Sequence, residues 1–198
     1  CLRLVGSEMC IRDRFNIVDS KLHYISFSGE FEGKDTRPIL EATLDVMGKN
    51  IKIYNVHFPS GFHDVSMRLD SLRLLKKLLL NQNYPTIALG DFNVNTKEDN
   101  KLDIYKSQQE EWIVAHLVGC NACKGSYYYN YGKTWEYLDT IFLSKDRGIS
   151  YVPESIDIHN TPNNAYSDTG KPIKFNAINK YGVSDHLPMV AKFKIDTL

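Results

Sequence analysis

A strand, a helix and a second strand that follow one another in mid-chain constrain the fold most. Residues 51–58 (IKIYNVHF) alternate as a strand does, and residues 66–82 carry leucines at the helical period. Residues 86–89 (TIAL) are wholly apolar, which predicts a short strand buried on both faces. This order of elements predicts a β–α–β crossover.

Further strands are expected on both sides of this unit. They lie at residues 21–27, 40–46, 138–144 and 189–195. The turn at 47–50 predicts a hairpin, residues 106–118 are expected to form a second helix, and the polar stretch 160–181 a long surface loop. Strands and helices in this mixed order predict an α/β or α+β layered sandwich.

The composition is that of a globular domain with no extreme charge. The 198 residues suffice for one sizeable domain or two small ones, and 12 Tyr, 9 Phe and 2 Trp exclude disorder as the general state. Apolar runs such as residues 78–80 are far shorter than the roughly 20 residues that span a bilayer, so no membrane helix is expected. The 24 basic and 24 acidic residues balance, which gives no indication of a strongly basic nucleic-acid binder. A nucleic-acid substrate stays open, because a metal site supplies local positive charge.

The first residues and the cysteines carry little functional information. Residues 1–14 show little strand or helix periodicity and no secretory pattern, so we expect them to be an extraneous, non-native segment. Cys120 and Cys123 form one Cys-X-X-Cys pair, which alone is weak evidence for zinc. Ordinary thiols, a local disulfide and metal or redox chemistry all stay open for this pair, and so does the compartment.

Polar side chains gather in four short segments at the ends of predicted strands. The segments are NVH (55–57), GDFN (90–93), Asp139 and SDH (184–186). Catalytic groups favour strand ends that open toward a cleft. Taken singly, the second and fourth segments are also typical turns, and a lone histidine is more often structural. Asp139 is harder to explain structurally, because a carboxylate inside an apolar strand needs a donor or a charge partner.

In combination these segments resemble the endonuclease/exonuclease/phosphatase superfamily, which has the deoxyribonuclease I-like fold. The similarity runs in order through VHFP (56–59), the helix with Arg68, LGDFN (89–93), LDTIF (138–142) and YGVSDHLPMV (181–190). It covers residues 15–198, which correspond to about the C-terminal two-thirds of one such domain. The family's N-terminal strands carry an Asn and a metal-binding Glu without counterparts before residue 15. We therefore expect N-terminal truncation and impaired activity of the chain itself.

The resemblance implies a four-layer sandwich of two mixed β-sheets flanked by helices, incomplete at the N-terminus, and hydrolysis of phosphoesters with Mg²⁺ or Mn²⁺. Such cleavage needs charge neutralisation, an in-line water and help for the leaving oxygen. By the same resemblance, Asp139 would orient His186. His186 would then deprotonate water or hold the phosphate as imidazolium, and His57 would contact the phosphate or assist the leaving group.

Three further residues match the family's site. The resemblance implies that Asp91 orients or activates the attacking water and that Asn93 donates a hydrogen bond to a phosphate oxygen or to that water. Asp185, together with Asp91, would bind the metal opposite the missing Glu. Oxygen ligands with an incomplete shell suit magnesium.

Several other polar residues have a structural explanation beside a functional one. Arg37 either has a structural role or reaches a phosphate, and Arg68 is as well explained by a surface salt bridge. The tyrosines of 127–131 with Trp135 either stack on bases or pair across a sheet. The lysines of 168–180 either contact phosphates or lie in a solvated loop.

The leading hypothesis is a metal-dependent phosphodiester hydrolase, a nuclease acting on DNA or RNA. The alternatives are a phosphatase or lipid phosphodiesterase of the same fold, acting on a phosphoinositide, a sugar phosphate or sphingomyelin, and a noncatalytic binding module. A monomer is expected. The substrate and the choice between internal and terminal cleavage stay open.

Overall fold

The chain folds around one six-stranded mixed sheet. The structure, a computed structural model, describes residues 15–120 and 123–196, so the predicted extraneous segment lies outside the described residues. The strands are β1 (Asn16–His23), β2 (Ile39–Val46), β3 (Lys49–His57), β4 (Thr86–Asp91), β5 (Trp112–Val114), β6 (Tyr127–Tyr129), β7 (Thr134–Glu136), β8 (Asp139–Ser144), β9 (Ile149–Tyr151), β10 (Asp157–Ile158), β11 (Met189–Val190) and β12 (Phe193–Ile195). The helices are α1 (Val65–Leu80), α2 (Thr96–Leu102), α3 (Ile104–Ser107) and α4 (Ala115–Val118), with 3-10 turns at Gly29–Phe31 and Gln108–Glu110.

The β–α–β crossover predicted from the sequence is confirmed. The order of the large sheet is β1-β2-β3-β4-β8-β5, and β3 pairs in parallel with β4 after the chain has passed through α1. The hairpin between β2 and β3 is also confirmed, since Val46 pairs with Lys49 across two turn residues. Met47 and Gly48 both have positive φ, at 57° and 82°, as a type I′ turn requires.

Side chains that alternate along the central strands divide the apolar residues between two cores. Tyr54, Val56 and Phe142 point to the face covered by α1, where they pack with Leu72 and Leu75. The intervening residues, Ile51, Ile53, Ile141 and Leu143, pack on the opposite face. There they meet Ile149, Phe193 and Ile195 of a short antiparallel ladder of β9 with β12, and Ile158 and Met189 of a second ladder of β10 with β11. The mixed α+β fold class is confirmed, and the second predicted sheet is present as these separate ladders.

Three segments differ from the sequence prediction. The strand expected at 21–27 lies earlier in the chain, because β1 runs from Asn16 to His23 in register with β2. The helix expected at 106–118 is wrong, because this stretch contains α3, a 3-10 turn, β5 and α4. Trp112 and Val114 are fully buried where β5 pairs with the edge of β8, and this pairing outweighs the helical preference of the surrounding residues. The strand expected at 189–195 is divided, because the chain leaves β10 and pairs with β9 instead.

The remaining connections match the expected loops. Residues 160–181 form a long segment with isolated bridges between Ala165 and Pro172 and between Asn176 and Tyr181. Cys120 and Cys123 are joined by a disulfide with 5.2 Å between their Cα atoms, which answers the question that the sequence left open. Within residues 15–120 and 123–196, every helix is too short or too polar to cross a membrane.

Candidate active site

Three predicted site residues lie side by side because β3 and β4 end, and β8 begins, at the same level of the sheet. His57 pairs in register with Asp91 across β3 and β4, and Asp91 pairs with Asp139 across β4 and β8. Gly90, just before Asp91, has a φ of 130°, and a Cβ there would lie 2.1 Å from the carbonyl oxygen of Val56. A glycine is therefore required for β3 and β4 to approach each other next to Asp91.

His186 and Asp139 form a hydrogen-bonded pair, although 47 residues separate them. Nδ1 of His186 lies 2.6 Å from Oδ2 of Asp139. Ser126 connects their backbones, since its hydroxyl accepts from the Asp139 amide at 3.0 Å and its carbonyl accepts from the Leu187 amide at 2.7 Å. Burial opposes protonation of His186, but the hydrogen bond and negative charge of Asp139 outweigh it and raise the pKa of His186.

Asp91 is the most perturbed carboxylate of the group. Burial, followed by the negative charge of Asp139, raises the pKa of Asp91 from 3.8 to about 6. Its Oδ1 accepts a hydrogen bond from the Asn93 amide at 2.9 Å, so the turn explanation of the GDFN segment is also correct locally. An acid whose pKa lies this close to neutral exchanges protons readily under physiological conditions.

Asn93 and His57 complete the polar floor. Asn93 has a φ of 53°, a conformation that asparagine tolerates better than most residues, and its Nδ2 donates to the Phe58 carbonyl at 3.0 Å. Nε2 of His57 lies 3.6 Å from Oδ2 of Asp91, and half of the His57 side chain is exposed. Burial, then the positive charges of Arg37 and His186, lower the pKa of His57, so this imidazole is neutral near pH 7.

Comparison with solved structures identifies the fold around this site. An endonuclease/exonuclease/phosphatase family protein from Bacteroides thetaiotaomicron has a TM-score of 0.64 at 19% identity, over 94% of this chain and 68% of that one. A D. rerio TDP2 humanized by 14 mutations has a TM-score of 0.64 at 15% identity, over 91% and 68%. The mannosyl-6-phosphatase Bt3783 of Bacteroides thetaiotaomicron has a TM-score of 0.56 at 16% identity, over 92% and 68%.

The chain has the endonuclease/exonuclease/phosphatase fold. The resemblance stated from the sequence is thereby confirmed for the architecture. The chain spans about two thirds of the length of each of these structures. No protein-family model and no curated protein sequence matches it.

The described residues include one group that could hold a metal ion, and it shares Asp91 with the predicted pair of Asp91 and Asp185. One potential ligand atom from each of Asp91, Asp139 and His186 lies within 4.8 Å of the other two. Asp185 is half exposed, and its Oδ2 lies 3.3 Å from Nζ of Lys174. The raised pKa of Asp91 reflects its burial first and the negative charge of Asp139 second. Carboxylate oxygens in such a position fit a hard divalent cation.

A cleft of about 940 Å³ opens beside these residues, and His186, Asp185 and Asn93 line part of it. The rest of its wall comes from three segments, which are the loop after β3 with Phe62, helix α2, and the β6–β7 hairpin with Tyr129. The polar cluster therefore lies beside a larger surface that also carries aromatic side chains.

Arg68 connects two segments of this wall, and it is a salt-bridge partner, although buried and not on the surface. Its side chain is fully buried and pairs with Glu98 of α2 through Nε and Nη2. Its Nη1 donates to the carbonyls of Pro59, Ser60 and His63 at 2.8–3.2 Å. No sequence spacing indicates this pairing, because Arg68 and Glu98 lie on separate helices 30 residues apart.

The weaker sequence candidates have different outcomes. Tyr128 pairs with Trp135 across the β6–β7 hairpin with ring centroids 5.3 Å apart, so the strand-pairing explanation holds for these two. Arg37 is exposed and near enough to His57 for its charge to act on that imidazole. Lys174, from the long loop, contacts Asp185, and Lys171 stacks on the Tyr128 ring at 3.8 Å.

Proposed function

We propose that this chain carries the active site of a metal-dependent phosphodiester hydrolase, a nuclease acting on DNA or RNA. The observation that carries the proposal is the 2.6 Å pair of His186 and Asp139 beside Asp91, whose pKa is raised to about 6. A paired imidazole and a carboxylate that titrates near neutrality supply the positive charge and the base that phosphoester cleavage needs. The fold supports the same class, since its neighbours include structures named as phosphatase and nuclease-family proteins.

The proposed roles follow from the charge of each group near pH 7. The hydrogen bond to Asp139 raises the pKa of His186 and so favours its protonated form, and as an imidazolium His186 would bind a phosphate oxygen and stabilise developing charge. Asp91, ionised above about pH 6, accepts the proton of the attacking water. His57 is neutral and offers a hydrogen bond near Asp91 without adding charge.

A divalent cation, Mg²⁺ or Mn²⁺, would be held by Asp91 with Asp139 or Asp185, and it supplies charge neutralisation when bound. The carboxylates then serve two purposes, because the same oxygens that bind the cation also orient water. Asn93 would direct its amide toward a phosphate oxygen or that water with the hydrogen that Phe58 does not use.

The test compares hydrolysis by the 198-residue chain and by a His186→Ala variant. The substrates are bis(p-nitrophenyl) phosphate and a single-stranded oligonucleotide, each with Mg²⁺ and with Mn²⁺. Loss of the imidazolium should reduce the rate by about two orders of magnitude or more. His159→Ala is the matched control, because His159 is exposed and lies outside the cleft. Hydrolysis at equal rates by the His186→Ala variant and the unchanged chain would contradict the proposal, whereas a rate that is low in the unchanged chain and falls further in the variant agrees with it.

A phosphatase acting on sugar phosphates is the alternative of the same fold, as the name of Bt3783 indicates. The same assay with p-nitrophenyl phosphate separates the two, because a monoesterase prefers this monoester over the diester. The aromatic and basic side chains of the cleft favour the nucleic-acid substrate.

A further inference from the structure

The cleft beside the polar cluster combines exposed aromatic rings with lysines. Phe62 is completely exposed and Tyr129 is 44% exposed, and both line the cleft. Lys97 and Lys101 lie four residues apart on α2, so they share one face of that helix, and both also line the cleft. Large apolar rings left in water at such a position indicate a ligand that covers them.

The wall that carries these side chains is fixed before any ligand binds. The Arg68–Glu98 pair connects α2 to the loop that contains Phe62. On the other side, the Glu136 carboxylate accepts from the Thr96 amide at 2.5 Å, which connects α2 to the hairpin that contains Tyr129. Segments connected in this way lose less backbone entropy on binding than mobile segments, so a wall built from them suits recognition.

The chemistry of the four side chains selects one class of ligand. Lysines pair with phosphates, and aromatic rings stack on the faces of bases. In a duplex each base face is covered by its neighbours in the stack, whereas a single strand exposes its base faces to a protein. A volume of about 940 Å³ lies at the upper end for small-molecule pockets and suits a few linked nucleotides.

We propose that this cleft binds single-stranded nucleic acid next to the His186–Asp139 pair, with bases stacked on Phe62 and Tyr129 and phosphates paired with Lys97 and Lys101. This inference rests on the proposed function, because it delivers the strand to His186, which lines the same cleft. It adds the preference for single strands and the residues that set it.

The binding test uses fluorescence anisotropy with a labelled oligothymidylate, the full chain and EDTA in place of metal, so that no hydrolysis occurs. Phe62→Ala and Tyr129→Ala should each weaken binding roughly 5- to 150-fold, the range measured for losing one stacked base. Phe62→Leu keeps apolar bulk without a flat ring and should weaken binding nearly as much. Tyr84→Ala is the control, because Tyr84 is similarly exposed but precedes β4, at the opposite end of the strand from Asp91.

The lysines are tested through the salt dependence of the same binding. Each phosphate contact to a single strand contributes a slope of about −0.7 in log K against log salt concentration. Lys97→Gln and Lys101→Gln should each make the slope shallower by about that amount, whereas Lys77→Gln in α1 should leave it unchanged. All these side chains are exposed, and circular dichroism verifies that each variant is folded.

Three results would overturn the inference. They are equal affinity for a duplex of the same length, affinity that Phe62→Ala and Tyr129→Ala leave unchanged, and a salt slope that does not respond to the lysine variants. Failure of the proposed function is distinguishable from these results. In that case the oligonucleotide binds as described, but hydrolysis does not depend on His186. If the inference alone fails, hydrolysis depends on His186, but the affinity for the oligonucleotide is the same with and without the Phe62 and Tyr129 rings.

Discussion

Replacing Asp91 with asparagine should stabilise the chain at neutral pH while removing its proposed base. The Asp91 side chain is 17% exposed, and its raised pKa means that the ionised form is less favourable in the folded chain than in the unfolded chain. Asparagine keeps an oxygen that can accept from the Asn93 amide, and it removes the charge that faces Asp139. The substitution therefore changes the electrostatic energy with little change in shape.

The size of the effect follows from the pKa shift. A pKa that moves from 3.8 to about 6 corresponds to a cost of up to about 3 kcal/mol at 1.36 kcal/mol per unit. Asparagine still buries a polar amide in place of the carboxyl group, so we expect a net gain of about 1–3 kcal/mol. Because the folded-state pKa is raised, the wild-type stability from this group is present below pH 3.8 and is lost as the pH rises through about 6. The advantage of Asp91→Asn should thus be full above about pH 7 and vanish near pH 4.

Urea unfolding in EDTA, followed by circular dichroism at about pH 4.5 and about pH 7.5, measures this difference. Asp168→Asn is the control, because Asp168 is an exposed acid of the long loop and its loss should leave stability unchanged at both values. The reasoning is refuted if Asp91→Asn is no more stable than wild type at the higher pH. A gain that is the same at both values would equally refute it, because the effect would then not come from ionisation.

Three further predictions concern stability and cation binding. Burial lowers the pKa of His116 to about 4. Acidification from pH 6.5 to 4 should therefore lower the free energy of unfolding by up to about 3 kcal/mol. His116→Gln should flatten this dependence of stability on pH, measured by urea unfolding. The comparison is best made in the Asp91→Asn background, because Asp91 contributes a slope of opposite sign. Arg68→Lys should lower the free energy of unfolding by about 3–5 kcal/mol, since lysine cannot reproduce the forked pairing with Glu98, and a loss under about 1 kcal/mol in urea would contradict the buried role. Lys174→Ala should raise Mn²⁺ affinity by up to about fivefold in calorimetry by releasing the Asp185 carboxylate, and unchanged affinity would argue against Asp185 as a ligand.

Features set by local chemistry could be predicted from the sequence. The turn of Met47 and Gly48 matches the backbone that a two-residue hairpin needs, and the leucine period of α1 marks a helix with one buried face. The strand ends that carry His57, Asp91 and Asp139 follow from apolar runs that stop at polar residues. Each of these signals is contained within a few consecutive residues.

Features that depend on distant partners could not be predicted. Residues 106–118 have a composition compatible with a helix, but the edge of β8 offers Trp112 and Val114 a buried pairing that sequence alone does not reveal. The buried pairing of Arg68 could not be predicted for the same reason, because its partner Glu98 lies on another helix. The contact of Lys174 with Asp185 likewise brings the long loop to the site, and no spacing in the sequence predicts this contact.

Removing a charge should lower the folding stability at the wall of the cleft and raise it at the acidic cluster. The wall residues position the site, whereas the cluster residues carry the proposed chemistry. At the wall, the Arg68 guanidinium is fully buried and donates to Glu98 and to three carbonyls, so removing its charge leaves these partners unpaired and destabilises the chain. At the cluster, Asp91 and Asp139 repel one another, and removing a charge relieves that repulsion. A site that keeps such repulsion loses folding stability for as long as nothing neutralises it. A cation bound at the two carboxylates, or a protonated His186 beside them, would relieve the same repulsion.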